Sequence, residues 1–385
     1  MNPHNLAACY HGGAFFNAIG AEFDHLERRH DIIAADVLDA WYPPSPKVIA
    51  ALTEDLPWLL RTSPPTHCEG MVRVIARVRG VPETCVLPTA GSSDAIFLAL
   101  RHWLTPASRV LILDPTYGEY AHVLEQVIGC RVDWFVLPRE ENYQINLRRL
   151  QKQLGADYDL VVLVNPNSPT GQHVPRGELE NLLGQLPSAT RVWIDETYIE
   201  FAGPRESLEQ FAAKSSNVVV CKSMSKVYAL SGVRAAYLCG PAKIIGQLRP
   251  LTPPWSVSLP AQVAAVAALQ DPDYYAARHD ETHQLRAELA ADLASLTNWE
   301  IVPGIANFLL CHLPEDGPTA ATLVHACRAH GLFLRDAGVM GRSLGRHALR
   351  IAVKDRETNH RMLEVIARVL ARARVQPFRE TPVLV

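Results

Sequence analysis

From about residue 47 onward the chain alternates stretches of helical periodicity with short, almost uninterrupted apolar runs. The runs Arg109–Asp114, Asp159–Val164, Arg191–Asp195 and Asn217–Cys221 are bounded by turn residues. A strand with one wet face alternates apolar and polar residues, so a run without that alternation is buried on both faces. The pattern predicts a mostly parallel sheet covered by helices on both sides. Such sheets place their ligands beyond the carboxyl ends of the strands. The polar motifs of this chain fall there, each just after a strand.

Before this region, the first 46 residues are irregular and end in a proline-rich stretch, Tyr42-Pro43-Pro44-Ser45-Pro46. Residues 249–254 break the pattern and resemble a linker. A long helical stretch then runs from about Pro260 to Ser295, and residues 299–353 read as a smaller α+β lobe. Divisions at 1–46, 47–250 and 251–385 follow. A chain of 385 residues with 48% hydrophobic and 20% charged residues has room for two such lobes. A net charge of −3 gives no reason to expect nucleic acid or an acidic membrane as partner. The apolar runs are too short to span a bilayer, and no basic region followed by an apolar stretch opens the chain. Eight cysteines are scattered without a Cys-x-x-Cys pair. That argues against a disulfide scaffold and a metal site, and fits reduced thiols in a cytoplasm.

The segment Cys221-Lys222-Ser223-Met224-Ser225-Lys226, with Leu230-Ser231-Gly232-Val233-Arg234 after it, carries the most chemistry. It sets Lys226 between Ser223 and Arg234, as needed where a lysine amine forms a Schiff base beside a bound phosphate. A solvated loop would use the same residue types, so the motif's company matters. Gly91-Ser92-Ser93-Asp94 opens a helix, where free backbone N–H groups attract an anion and serine also serves as a cap. Asp114-Pro115-Thr116-Tyr117 follows a strand and offers either a core aromatic or a flat ring for stacking. Asn165-Pro166-Asn167-Ser168-Pro169-Thr170-Gly171 is a turn by composition. Asp195 closes a buried strand, where a carboxylate is costly unless paired. Arg350 stands mid-way in the apolar run Ala348–Val353, which is unusual unless an anion meets it.

This order and spacing resemble the fold-type I pyridoxal-phosphate enzymes of the aminotransferase class I/II superfamily, from about residue 11 to 372. The resemblance implies an α/β fold with a large domain on a seven-stranded, mostly parallel sheet and a smaller α+β domain at the C-terminus. It implies pyridoxal 5'-phosphate as cofactor, an amino-acid substrate and a homodimer. Gly91, Ser92, Ser93, Ser223, Ser225 and Arg234 would hold the phosphate. Tyr117 would stack on the ring, Asp195 would pair with the ring nitrogen, and Tyr198 would donate to the ring hydroxyl oxygen. Asn167 and Ser168 are both candidates for that same oxygen. Lys226 would carry the Schiff base and move the α-proton. Arg350 would hold the substrate carboxylate.

His11-Gly12-Gly13 and Leu334-Arg335-Asp336 look like the histidinol-phosphate aminotransferase and threonine-phosphate decarboxylase branch. There the residue matching Arg335 helps hold a distal phosphate, and Gly13 belongs to the substrate region. The chain departs from the branch in its lid. Leu38-Asp39-Ala40-Trp41-Tyr42-Pro43-Pro44 replaces the usual Asn-x-Asn-Pro, which makes Asp39 a candidate for a cationic side chain. Thr62-Ser63-Pro64-Pro65 replaces a Tyr-Pro-Asp-Pro that reaches the partner's phosphate. A kept cofactor pocket with a rewritten lid implies transamination of a specialised substrate. Decarboxylation, elimination or cyclisation use the same pocket. A non-catalytic regulator would need a DNA-binding domain, which has no room here, and no Gly-x-Gly-x-x-Gly supports a nicotinamide dehydrogenase.

Overall fold

A computed structural model of the protein describes residues 12–375 apart from 21 and 156. Seven strands form the central sheet: β1 (Val86–Thr89), β2 (Arg109–Asp114), β3 (Arg131–Val136), β4 (Leu160–Val164), β5 (Arg191–Asp195), β6 (Val218–Ser223) and β7 (Ala236–Cys239). Their order is β1-β7-β6-β5-β4-β2-β3. Only β7 runs against the others, pairing antiparallel with both β1 and β6. Every residue of β4 and β6 is buried, as runs without alternation require. The register sets Val164 beside Asp195 and Asp195 beside Cys221, so the polar motifs after these strands leave the sheet at one level.

The smaller sheet is antiparallel throughout, in the order β10 (Arg335–Asp336), β11 (Ala348–Ala352), β9 (Phe308–His312), β8 (Glu300–Val302). The sequence pattern predicts one helix from about Pro260 to Ser295, but two are present, Leu259–Leu269 and Pro272–Leu296. Asp271, with φ −127° and ψ 54°, interrupts them. Pro272 has no N–H to continue the first helix and instead opens the second. The first of these helices packs on Pro46–Thr53 and Glu69–Arg79 beside the large sheet.

The arm is less irregular than its composition suggests. Ile33–Ala34 pairs in parallel with Leu332–Phe333, which ties the arm to the smaller lobe. Asp36 is buried and accepts from the N–H groups of Gly13 at 2.7 Å and Ala14 at 3.3 Å. These bonds hold the start of the described chain against the site. No helix among the described residues is long and apolar enough to cross a membrane.

Candidate active site

A cavity of about 830 Å³ opens at the carboxyl ends of β2, β4, β5 and β6. Gly12, Asp36, Val37 and Leu38 of the arm and Arg335 and Arg350 of the smaller sheet complete its wall.

At one end, Gly91 has φ +98°, a conformation that side chains disfavour, and a Cβ there would come within 2.4 Å of Arg234 Nη2. Glycine thus lets the guanidinium reach across the start of helix Ser92–Trp103. Asp94 accepts from the N–H of Ala90 at 2.9 Å, which fixes the turn. Ser92, Ser93, Ser223, Ser225 and Arg234 all line this end. Arg234 Nη1 donates to the Ser231 carbonyl at 3.0 Å and reaches Ser225 Oγ at 3.5 Å. Hydroxyls, a guanidinium and a helix N-terminus converging on one point fit a phosphate group.

Asp195 lies deeper and is 3% exposed. Its Oδ2 accepts from Tyr120 at 2.7 Å, and Oδ1 accepts from the N–H and hydroxyl of Thr197 at 2.9 and 2.6 Å. Tyr120 is itself held by Trp193 Nε1 at 2.7 Å. Burial pushes the Asp195 carboxyl up, while the bonds from Thr197 and Tyr120 pull it down. None of its hydrogen-bond partners among the described residues is a cation, though Lys222 acts on it from a distance, so a protonated ring nitrogen from the cavity fits this carboxylate. Tyr117 borders the same space; its hydroxyl donates to Glu119 at 2.9 Å. Tyr198 lines it as well, and burial drives its phenol well above the usual range.

Of the two turn candidates, only Ser168 faces the cavity. Asn167 is fully buried and its amide is spent within the loop. It donates to the Pro115 carbonyl at 3.0 Å and Thr170 Oγ1 at 3.1 Å, and accepts from Thr116 at 3.2 Å. Among the described residues its side chain serves the turn. Ser168 instead takes a bond from Arg350 Nη1 at 3.3 Å and is hydrogen-bonded to Tyr198.

Two lysines four residues apart part ways. Lys226 reaches the cavity, and its amine donates to Asp39 Oδ1 at 2.8 Å. Lys222, 1% exposed, sits within 2.8 Å of Glu200, 3.5 Å of Glu196 and 3.9 Å of Glu209. These charges lie in the core, where Arg79 joins them through Glu200 at 2.9 Å. Burial raises the Glu196 carboxyl to about 7, against the pull of Lys222.

Arg335 and Arg350 are register partners on adjacent antiparallel strands, so both guanidinium groups leave the same face. Arg350 donates to the Asp36 carbonyl at 3.0 Å, and its Nε has no hydrogen-bond partner among the described residues. Burial lowers its guanidinium to about 10. Two like charges side by side in a cavity wall fit anionic groups on a ligand. Gly13 is not among the lining residues and commits its N–H to Asp36, while Gly12 lines the wall; His11 lies outside the described residues. Tyr120 and Thr197, which orient Asp195, went unread in the sequence, because nothing in their spacing marks them. Trp134 and Arg342 at the outer rim, 4.9 Å apart as ring and cation, carry no motif either.

The model of the aminotransferase class I and II family matches residues 42–366. Histidinol-phosphate aminotransferase from Roseiflexus castenholzii is 31% identical over 343 residues, covering 88% of this chain and 90% of the relative. Its counterpart from Rhodopseudomonas palustris is 29% identical, covering 86% and 89%. In fold, the chain is similar to histidinol-phosphate aminotransferase from Sinorhizobium meliloti, solved in complex with pyridoxal-5'-phosphate, with a TM-score of 0.81. That likeness covers 97% of this chain and 98% of the other at 20% identity. L-threonine-O-3-phosphate decarboxylase from Porphyromonas gingivalis follows the same fold, with a TM-score of 0.72, 23% identity and 85% and 99% coverage. A family model spanning most of the chain, on a sheet whose strand ends converge on a phosphate cup and a buried aspartate, leaves one conclusion: the chain belongs to the class I and II aminotransferases, pyridoxal-phosphate enzymes of fold type I.

Proposed function

We propose that this aminotransferase acts on an amino acid whose side chain carries a second anionic group, with Lys226 as its reactive lysine. The observation that carries the substrate reading is the register pairing of Arg335 with Arg350 in the cavity wall. Arg350 would take the α-carboxylate, since a guanidinium meets a carboxylate through two parallel bonds. Arg335 would take the second anion. The curated relatives named histidinol-phosphate aminotransferase support a phosphate as one anion such a site can take, while the rewritten segment around Asp39 supports a substrate of different shape.

When bound, the cofactor supplies an electron sink that labilises the bonds at the substrate's Cα. The protein residues do the rest. Gly91, Ser92, Ser93, Ser223, Ser225 and Arg234 would fix the phosphate, and Tyr117 would hold the ring flat. Asp195 would keep the ring nitrogen protonated, oriented by Tyr120 and Thr197. Tyr198 and Ser168 would face the ring hydroxyl oxygen. Lys226 would hold the cofactor covalently and, once displaced by the substrate amine, carry the proton between Cα and the cofactor.

Loss of a charge-assisted bidentate contact in a buried site costs about 2–4 kcal/mol, or roughly 30- to 1000-fold in kcat/KM. Arg350→Ala should weaken every amino-acid substrate by about that factor. Arg335→Ala should do so only for substrates with a second anion and spare small neutral side chains. Steady-state kinetics on a panel of neutral, phosphorylated and guanidino amino acids, with products identified by mass, test both. Equal and small effects from the two changes would sink the substrate reading.

We also infer a homodimer, in which each subunit closes the other's cavity. Leu56, Trp58 and Leu60 are exposed on one short helix, Leu60 at 70%, and Trp255 is 55% exposed. Apolar side chains left wet in this way favour a covering partner. Light scattering at micromolar concentration should return twice the chain mass of 42.5 kDa. A fully active monomer would overturn the inference.

A further inference from the structure

A second cavity, of about 510 Å³, lies apart from the active site, and the two share no lining residue. Its walls come from the end of helix Glu69–Arg79, the stretch around Glu200 to Gln210, and the helices Leu259–Leu269 and Pro272–Leu296. Glu200 lines it and is only 7% exposed. One of its oxygens, Oε1, meets Arg79 Nη2 at 2.9 Å and Lys222 Nζ at 2.8 Å. The other, Oε2, has no hydrogen-bond partner among the described residues. Burial would raise the Glu200 carboxyl, but Lys222 and Arg79 outweigh it and hold it below the usual range, so the group stays an anion. A buried carboxylate oxygen without a donor is costly.

The surrounding charges do not balance either. Three carboxylates, Glu196, Glu200 and Glu209, stand against two cations, Lys222 and Arg79. Glu196, raised to about 7 by burial, relieves part of the excess by holding a proton. It is also served by the Ser207 hydroxyl at 2.6 Å and the Leu208 N–H at 2.7 Å, and it does not line the cavity. The unmet acceptor is therefore on Glu200. We propose that this second cavity binds a small organic ammonium ion, which donates to Glu200 Oε2 and seats its apolar body beside Phe201, Tyr228 and Tyr275.

The rest of the lining favours that ligand class. Asp273 and Asp280 add negative charge at the exposed side. Arg176 also lines the cavity, but its guanidinium is paired with Glu180 at 2.6 Å. The rings of His279 and His283 are bonded through Nε2 to the carbonyls of Val227 and Phe201, at 3.0 and 2.8 Å. Burial lowers both, so neither adds a positive charge at neutral pH. An anion would meet four carboxylates. A metal ion lacks a cage, because no group of three or more His, Cys, Asp or Glu among the described residues is placed to hold one. The volume falls within the range of small-molecule sites, about 300–1,000 Å³.

The experiment titrates the holoenzyme with N,N-dimethyl-2-phenylethylamine in a calorimeter at neutral pH. Its tertiary nitrogen is protonated and keeps one N–H donor, yet it cannot form a Schiff base with the cofactor. One amine should bind per chain. The trimethylammonium analogue keeps the charge but has no donor, and should bind roughly 10- to 100-fold more weakly, the worth of a charge-assisted hydrogen bond. The anion 3-phenylpropionate should not compete with the amine. Glu200→Gln should weaken the amine by a similar factor. Because Glu200 also pairs with Lys222 and Arg79, that variant is read only with its thermal midpoint. Ala276→Trp is the second test, since Ala276 lines the cavity and belongs to none of these ion pairs. It should fill the space and abolish binding while leaving kcat/KM unchanged. Absence of binding to the wild type at millimolar amine would overturn the proposal. So would binding that survives Ala276→Trp, which puts the amine in another site. Unchanged affinity in a folded Glu200→Gln would defeat Glu200 as the acceptor.

Discussion

Lys226→Ala should leave a folded protein that no longer transaminates and no longer retains cofactor after borohydride reduction. Two losses combine in this variant. On the role proposed for Lys226, the covalent anchor would disappear, and so would the proton carrier, which alone contributes about 10²- to 10⁴-fold to a rate. A total loss of roughly 10⁴-fold or more in kcat follows. The fold should survive, because Lys226 is partly exposed and its one ion pair, to half-exposed Asp39, is worth about 1 kcal/mol at most. Unchanged circular dichroism with a thermal midpoint within a few degrees would establish that. Two other lysines stand near enough to compete. Lys354 approaches Asp39, and Lys222, on β6, is locked among three buried glutamates. Mass spectrometry of the reduced wild-type protein identifies which one carries the cofactor. A mass shift on Lys222 or Lys354, or appreciable turnover by Lys226→Ala, would defeat the assignment.

Asp195→Asn should give the second-largest effect, with a different signature. The amide keeps the shape and the bond from Thr197, so cofactor should still bind in part. What would go is the anion proposed to face the ring nitrogen. Removing one member of a buried ion pair costs about 3–5 kcal/mol, or roughly 10²- to 10³-fold or somewhat more in rate. The loss should fall on kcat, since the carboxylate site proposed at Arg350 is untouched, and the visible spectrum of the bound cofactor should shift with the ring's protonation state. Tyr120→Phe removes only the 2.7 Å bond to Oδ2 and should cost far less, about 1–3 kcal/mol. Near wild-type turnover in Asp195→Asn would reduce Asp195 to a turn-capping residue bonded to Thr197.

Much of this architecture could be read from the chain. The runs at Arg109–Asp114 and Arg191–Asp195 coincide with β2 and β5, because a strand buried on both faces must be apolar throughout. The helix after Gly91 starts at Ser92, earlier than expected, with the serines inside its first turn rather than capping it. The interruption at Asp271 was missed because a proline at the first position of a helix looks, in sequence, like one tolerated within a helical run. The pairing of Ile33–Ala34 with Leu332–Phe333 joins segments about three hundred residues apart, and two-residue strands leave no periodicity to detect.

The site divides along the same line. Sequence alone determined its inventory: a lysine between serines and an arginine, an aspartate at a strand end, an arginine in an apolar run. These are legible because each violates its local pattern, and a violation of local rules marks function. Tertiary structure decided which members meet. It spent Asn167 on its own turn and left Ser168 to the cavity. It sent Lys222 into the core and Lys226 to the site, and set Arg335 across from Arg350. It brought Asp39 to Lys226 across 187 residues of chain. The physical reason is common to all four. A side chain's direction depends on strand register and on the packing of remote segments, and neither is encoded in the spacing of neighbours along the chain.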